Sequence, residues 1–381
     1  MGWRIDLLAT AAPQDSTSGV SRGIWELGAA LVARGHAVRV LFPSSNLQAR
    51  PDVKGVTAIP VPDPGPGRSP TARDLAIGRN ASDLLDPGVD VIVGNDEKAG
   101  ALEWVRRAGG RPVFAMMVHD VALHTFDAMR PPEARAGLRA KLSTWSARRA
   151  LRRLELSAIS RARVIFVPTE LNHELLRRHY GVSGPRVHLL PNGVADPIDA
   201  GSREEARLAL KVPADVPLVS FIGRTPERQG LATALSAFQR VRVFFPGARF
   251  VVVGSTAPSE PGVLSLGVVD ELTKARVLRA SDVFLFPARY EGFGLAPREA
   301  MRYGVATVVS RHVPLEGVDP KRSVRVVPSD DPAEYASELA ELLADPRLRR
   351  SVGEAGQAYA DRFSYARMAD QFERFLAPLL P

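Results

Sequence analysis

Apolar residues in this chain gather into short, nearly continuous runs, separated by longer stretches in which they recur at helical spacing. The first run, Trp3 to Leu8, is followed by a loop of Ser, Thr, Gly and Pro. Then comes Val20 to Arg34, where Leu27, Ala30 and Leu31 share one face. Gly35 is placed to end that helix, and Ala37 to Phe42 is apolar almost throughout, as in a strand buried on both faces of a parallel sheet. Runs at Val89 to Val93, Val113 to Val118, Val164 to Val167 and Val187 to Leu190 alternate with stretches rich in Ala, Leu and Arg. Alternation of this kind predicts a doubly wound α/β domain.

A turn-rich break follows, from Pro191, Asn192 and Gly193 through Asp196 to Ser202, and it reads as a hinge. A second alternating series starts at Leu218 to Ile222. It continues through Phe250 to Val253, Val263 to Val268, Val283 to Phe286, Ala306 to Val309 and Val324 to Val327. From about Pro332 the pattern is helical, interrupted at Pro346 and at Phe363 to Ser364, and the Pro/Gly cluster from Pro60 to Pro70 reads as a surface loop. The expected division is residues 1–193, residues 194–362, and a last helix at 363–381 that packs back on the first domain. A chain of 381 residues suits two domains at about 150 residues each.

Composition sharpens the picture by exclusion. With no cysteine, the chain has no disulfide, thiolate nucleophile or zinc-thiolate site, and a reducing, cytoplasmic address is expected. Met1 to Asp6 does not read as a signal peptide, and the longest apolar runs fall far short of the ~18 residues of a membrane span. The net charge of +8 and a pI near 10.1 point to an anionic partner without choosing it. Basic residues crowd between Arg130 and Arg163, where Leu138, Leu142 and Trp145 fall on one side of a helix. A core-facing stripe on a solvated helix is expected there, with peripheral contact at the inner membrane face as the alternative. Nucleic acid is disfavoured, because that stretch has no stacking aromatic beyond Trp145.

In open α/β sheets ligands bind beyond the carboxyl ends of the strands, so the loops after the apolar runs hold the chemistry. The run Val283 to Phe286 leads into Pro287-Ala288-Arg289-Tyr290-Glu291-Gly292-Phe293-Gly294-Leu295-Ala296-Pro297-Arg298-Glu299. Pro297 suits a first helical position, and no Ser, Thr, Asp or Asn between Gly292 and Ala296 can cap the helix that starts there. Its N–H groups stay open to a ligand, and Gly292 and Gly294 let the backbone close on a phosphate. Glu291 and Glu299, the latter expected in the first helical turn, flank that point with carboxylates that accept from sugar hydroxyls.

Glu291 and Glu299, separated by seven residues and enclosing Gly292-Phe293-Gly294-Leu295, resemble the signature of the family 4 retaining glycosyltransferases of GT-B fold. The resemblance implies two Rossmann-like domains facing across a cleft. It also implies that Glu291 contacts the donor sugar, that Gly292, Phe293, Gly294 and Leu295 offer backbone donors to sugar and phosphate, and that Glu299 holds the ribose. Phe221-Ile222-Gly223-Arg224, followed by Arg228-Gln229-Gly230, is similar to the family's glycine-arginine turn. There Arg224 would grip the donor pyrophosphate. Gln229 departs from the pattern by standing where a lysine is usual. Either Arg228 supplies the missing cation or it is an ordinary surface arginine.

Shorter matches extend the likeness along the chain. Val118-His119-Asp120 resembles the strand end that carries the family's sugar-facing histidine, and Ser18-Gly19-Val20 resembles its glycine-glycine loop near the donor phosphate. Leu189-Leu190-Pro191-Asn192-Gly193-Val194 is similar to the interdomain segment. The stretch from Gly254 through Gly267, Val268 and Val269 to Ser281-Asp282 is similar to the part whose backbone reads the base.

The activity implied is transfer of a sugar from a nucleoside diphosphate to a hydroxyl acceptor of unknown class, with retained configuration. His119, Arg224 and Glu291 would be the catalytic residues, and no metal and no cofactor would take part. No Asp-x-Asp motif is placed to hold a metal-diphosphate. A front-face route is favoured over a covalent intermediate on Glu291. The rivals are a nucleotide-sugar epimerase of the same fold and a basic nucleic-acid-binding protein. A dehydrogenase is disfavoured, since no Gly-x-Gly-x-x-Gly follows the first strand.

Overall fold

The computed structural model describes residues 2–12, 19–48, 53–65, 70–95, 112–128 and 138–380. It divides into two units, residues 1–193 with 365–381, and residues 194–364.

The first unit is built on a parallel sheet of seven strands: β1 (Arg4–Leu8), β2 (Ala37–Ser44), β3 (Thr57–Pro62), β4 (Val91–Asn95), β5 (Val113–Met117), β6 (Val164–Val167) and β7 (Val187–Leu189). Their order is β3-β2-β1-β4-β5-β6-β7, so the winding reverses between β1 and β4. Both β4 and β5 are buried at every position, which is why their sequences are continuous rather than alternating. Trp25 on the helix Gly19–Val32 packs edge-on to Phe42 of β2, with ring centroids 5.5 Å apart.

The stretch expected to be a surface loop from Pro60 is a correction. Pro60 and Pro62 belong to β3, paired with Phe42 and Ser44 of β2. Two residues apart, their missing N–H groups fall on one side of the strand, and β3 is the outermost strand, where one side is open. Pro70 then opens a helix, Pro70–Ser82.

The last helix, Tyr365–Leu376, belongs to this unit. Phe372 packs against Phe166 of β6 at 5.5 Å between ring centroids, and Phe375 stacks on His188 of β7 at 4.3 Å. The Tyr365 ring lies where a side chain at Gly193 would have to be.

The helix Leu138–Arg161 carries the basic stretch. Residues 130–137 fall outside the described residues, and the core-facing expectation does not hold at Trp145, which is 61% exposed. Arg149, one turn on, lies over its indole at 5.2 Å. No helix among the described residues is long and apolar enough to cross a membrane.

The second unit repeats the architecture with six parallel strands: β8 (Leu218–Ile222), β9 (Arg249–Val253), β10 (Val263–Gly267), β11 (Val283–Phe286), β12 (Ala306–Ser310) and β13 (Arg325–Val327). The order β10-β9-β8-β11-β12-β13 puts the reversal between β8 and β11. Phe221, Phe238, Phe250, Phe284 and Phe286 fill the core around these two strands, each essentially free of solvent. Burial of each such ring contributes roughly 1.5–3 kcal/mol.

Candidate functional site

The carboxyl ends of β8 and β11 lie side by side at the point where the strand order reverses, the place in this architecture where ligands bind. From β8 the chain runs into Gly223, Arg224 and Thr225, then the short helix Pro226–Gln229. From β11 it runs into Pro287 to Glu291 and the glycine-bearing loop. Gly230 sits in the left-handed region (φ 79°), and a Cβ there would overlap the carbonyl oxygen of Pro287. That lets the two strand ends approach closely, and Arg289 N–H donates to Arg228 O at 2.8 Å across them.

Arg224 is exposed at the turn, and its own N–H is held by Gln229, whose Oε1 accepts from Arg224 N at 2.7 Å and Thr225 N at 2.9 Å. Gln229 therefore serves the loop's backbone. Gly254 follows β9 and packs against Gly223 and the Arg224 side chain, while Ser255 Oγ donates to Gly223 O. Arg228 Nη2 stands 3.8 Å from Glu291 Oε2, both side chains largely buried.

The helix after the glycine loop is Leu295–Arg302, capped by Gly294 (φ 80°, ψ 58°) with no side-chain hydrogen bond to its N–H groups. It starts two residues before Pro297, which takes the third helical position rather than the first. Glu299 is thereby fifth, in the second turn, so the expectation of a first-turn acid is corrected. A left-handed glycine caps by backbone shape alone and needs no polar residue, which is why the start was misplaced. Gly292 and Phe293 are buried, as is Glu299.

Both oxygens of Glu299 are within 3.1–3.2 Å of Lys274 Nζ, on the helix Glu271–Ala280. Lys274 also pairs with Glu271 at 2.9 Å. Lys274 is a site neighbour that sequence reasoning missed, since nothing local marks a lysine 25 residues from its partner.

Val269 is partly buried against the core beside the exposed Val268, at the carboxyl end of β10. Ser281 and Asp282 are a correction. They stand at the amino end of β11, the opposite end of the strands from Arg224, where Asp282 accepts from Arg203, Arg207 and Leu218 N. That location gives them a structural role and removes them from base reading.

In the first unit, His119 follows β5 and is buried. Its Nε2 faces Asn95 Oδ1 at 3.0 Å, and Asn95 Nδ2 donates to Leu8 O at 2.9 Å. With the amide nitrogen so engaged, the amide oxygen is left to accept from His119 Nε2. The His119 carbonyl accepts from Asn172 Nδ2 at 2.9 Å, and Glu155 Oε1 accepts from Ala122 N at 3.1 Å. Burial and the neighbouring Glu155 push the Tyr180 hydroxyl, bonded to that carboxylate, far above its ordinary value. Asn95, Glu155 and Asn172 had no sequence signal, being 24 or more residues from their partners.

Gly19 is the first residue of its helix, and Ser18 lies outside the described residues. Ahead of that helix, Ala11 donates its N–H to Ser21 Oγ at 3.1 Å and accepts from Trp25 Nε1 at 3.0 Å.

Two family models match the chain: "Glycosyltransferase Family 4" over residues 17–196 and "Glycosyl transferases group 1" over residues 216–345. A D-inositol 3-phosphate glycosyltransferase of Segniliparus rotundus is 31% identical over 235 residues, 57% of this chain and 52% of that protein. An alpha-maltose-1-phosphate synthase of Mycolicibacterium smegmatis is 28% identical over 285 residues, 66% and 71% of the two chains. The match thus spans about half the length of the first relative. Among solved structures, sucrose-phosphate synthase from Thermosynechococcus elongatus superposes with a TM-score of 0.80 at 20% identity, covering 99% of each chain. Anabaena HepE, solved with UDP and glucose, gives 0.75 at 16% identity over 99% of this chain and 100% of that one.

Proposed function

This chain belongs to the family 4 glycosyltransferases of GT-B architecture, and from that premise we propose that it transfers a sugar from a nucleoside diphosphate to a hydroxyl acceptor with retained anomeric configuration. One observation carries the reading. At the reversal of the second sheet, two adjacent strand ends bring Arg224 and Arg228 to the same region as Glu291 and a glycine-led helix start with no side-chain cap. Cationic forks and open N–H groups are what a departing diphosphate requires, and HepE was solved with UDP and glucose.

In this reading Arg224, Arg228 and the N–H groups of Gly292 to Leu295 meet the charge that develops on the leaving diphosphate. Phe293 lends its backbone, and Gly254 keeps room beside Arg224. Glu299 accepts from the ribose hydroxyls, Glu291 holds the sugar, and backbone groups near Val269 face the base. His119 faces the transferred sugar, and Gly19 brings backbone near the donor phosphate. Neither metal nor cofactor is required, so a chelator should leave the rate unchanged. The route is front-face, without a covalent adduct on Glu291. We place the reaction in the cytoplasm, which a cysteine-free chain suits.

Thermal shift against UDP, GDP, ADP and their sugars tests the donor site. A ligand at about 100 times its Kd adds roughly 2.7 kcal/mol of stability. Nucleotide release that depends on added acceptor separates a transferase from an epimerase, and no shift with any of the nucleotides would sink the reading.

The exposed Trp145 beneath Arg149 favours a second, compatible reading, peripheral contact with an anionic membrane surface. Sedimentation with anionic and neutral vesicles decides it, since equal failure to pellet ends the idea.

A further inference from the structure

The donor-loop reading leaves one buried charge without a task. Arg298, fourth residue of the helix Leu295–Arg302, is 0% exposed. Among the described residues no carboxylate lies within ion-pair distance of it. Its hydrogen bonds go instead to neutral groups. Nη1 donates to the Phe293 carbonyl and, at 3.4 Å, to that of Gly294. Nη2 donates to Pro314 O at 2.9 Å and Tyr359 Oη at 3.2 Å. The guanidinium carbon lies 3.9 Å from the Phe293 ring centroid and 4.9 Å from that of Phe363.

Burying a guanidinium without a counter-ion is strongly unfavourable, and a hydrocarbon side chain of similar length would fill the same space without that penalty. Burial pushes its pKa down, with Tyr359, Glu316 and Glu291 acting in the opposite sense. The choice of arginine therefore calls for a role that a hydrocarbon could not fill.

The acceptors supply one. In a trans peptide the carbonyl of one residue and the N–H of the next point in opposite directions. Drawing the Phe293 and Gly294 carbonyls toward Arg298 turns the N–H groups of Gly294 and Leu295 the other way, off the bare end of the helix. The same residue places a positive charge within one turn of that end, adding to the partial charge of the helix itself.

We propose that Arg298 is a positioning residue for the donor diphosphate: it fixes the peptide planes that aim the Gly294 and Leu295 N–H groups at the anion, and leaves its own charge to be balanced by that anion. The inference rests on the diphosphate reading of this loop.

Calorimetric titration of UDP, GDP and ADP and of the matching monophosphates into wild type, Arg298→Lys and Arg298→Met tests it. The readout is the ratio of diphosphate to monophosphate affinity, which a merely structural role would leave alone. Arg298→Met should lower that ratio at least tenfold, and Arg298→Lys, which keeps the charge and loses the fork, at least threefold. Should Arg298→Met fail to fold, the lysine variant decides alone. An unchanged ratio in the folded variants, with wild type binding normally, overturns this inference only. Wild type that binds no diphosphate overturns the donor reading and this inference with it.

Discussion

The side-chain oxygen of Gln229 accepts the backbone N–H of Arg224 at 2.7 Å and, from the same atom, that of Thr225 at 2.9 Å. A turn that would otherwise leave two donors to solvent or ligand is thus closed from within, and the Arg224 side chain projects from a braced backbone. An ammonium in place of Gln229 has no acceptor and could not make either bond.

Two substitutions separate the brace from the charge. Gln229→Leu removes the acceptor of both bonds and should cost about 1–3 kcal/mol of stability. Gln229→Glu keeps an accepting oxygen there and adds a negative charge near Arg224, so the Tm should hold. Donor affinity should nonetheless fall by about 1–3 kcal/mol, the Coulomb range for charges several ångströms apart at a protein surface. Equal donor affinity in Gln229→Glu and wild type would mean that no phosphate binds beside this turn.

Arg228 is a second cation at this strand end, 3.8 Å from Glu291. Should it stabilise the leaving diphosphate, Arg228→Ala will raise the donor KM and lower kcat, by on the order of 10²–10³ overall for the loss of one donor aimed at developing charge. Steady-state kinetics with the donor varied is the measurement. Unaltered KM and kcat would make Arg228 an ordinary side chain.

Glu299 keeps both oxygens on Lys274 at 3.1–3.2 Å and is buried, which holds the carboxylate in place; in the proposed donor site it would accept from a vicinal diol. Glu299→Gln should weaken binding of a ribonucleoside diphosphate by about 1–3 kcal/mol. Its 2′,3′-dideoxy counterpart should bind as before, having no diol to lose. Equal weakening of both would take the ribose out of the account.

The fold was legible because its central strands are nearly continuous apolar runs, and because several of them, such as β1, β8 and β11, lead into helices. Arg224 and Glu291 stand at strand ends in the structure for the same reason. The helix begins two residues before Pro297, because Gly294 caps through a left-handed backbone that leaves no polar signature in the sequence. Pro60 looked like a loop residue because a proline in a strand is readable only once the strand is known to be at an edge. Arg298 and Lys274 were invisible for another reason. Their partners are as far away in sequence as Tyr359, and only the packed chain brings them together.

A stability prediction follows from the amino ends of the strands in the second sheet. The Arg207 side chain, almost fully buried, donates to Asp282 at 2.8 Å, with Arg203 at 2.7 Å and Arg349 at 3.3 Å from the same carboxylate. Burial pulls the Arg207 pKa down. Asp282→Asn would leave the buried cation without its counter-charge, a change that typically costs 3–5 kcal/mol, or roughly 10 °C in Tm. Donor affinity of the folded protein should be unaffected. Differential scanning calorimetry with titration of the same samples checks both halves, and an unchanged Tm would show that the arginines are already satisfied by the carbonyls around them.

The last helix gives the fold an acid-sensitive tie. Glu373 accepts from Arg34 Nε at 2.8 Å and Nη2 at 2.6 Å. His36 Nδ1 accepts from Trp3 N–H, so its protonated Nε2 donates to Glu373 Oε1 at 2.6 Å. The Arg34 hydrogen bonds hold the Glu373 carboxyl below its ordinary value, against a smaller opposing effect of burial, with His36 adding to the lowering. A carboxyl whose folded pKa is depressed stabilises the fold fully above its unfolded value, about 4.3, and loses that contribution as pH falls through the folded value. The Tm of wild type should therefore drop more steeply below about pH 4.3 than that of Glu373→Gln, and the variant should be the less stable of the two at pH 7. Above that range the two curves should run parallel. Parallel curves through the acid limb as well would mean that the carboxylate gains nothing from Arg34 and His36 on folding.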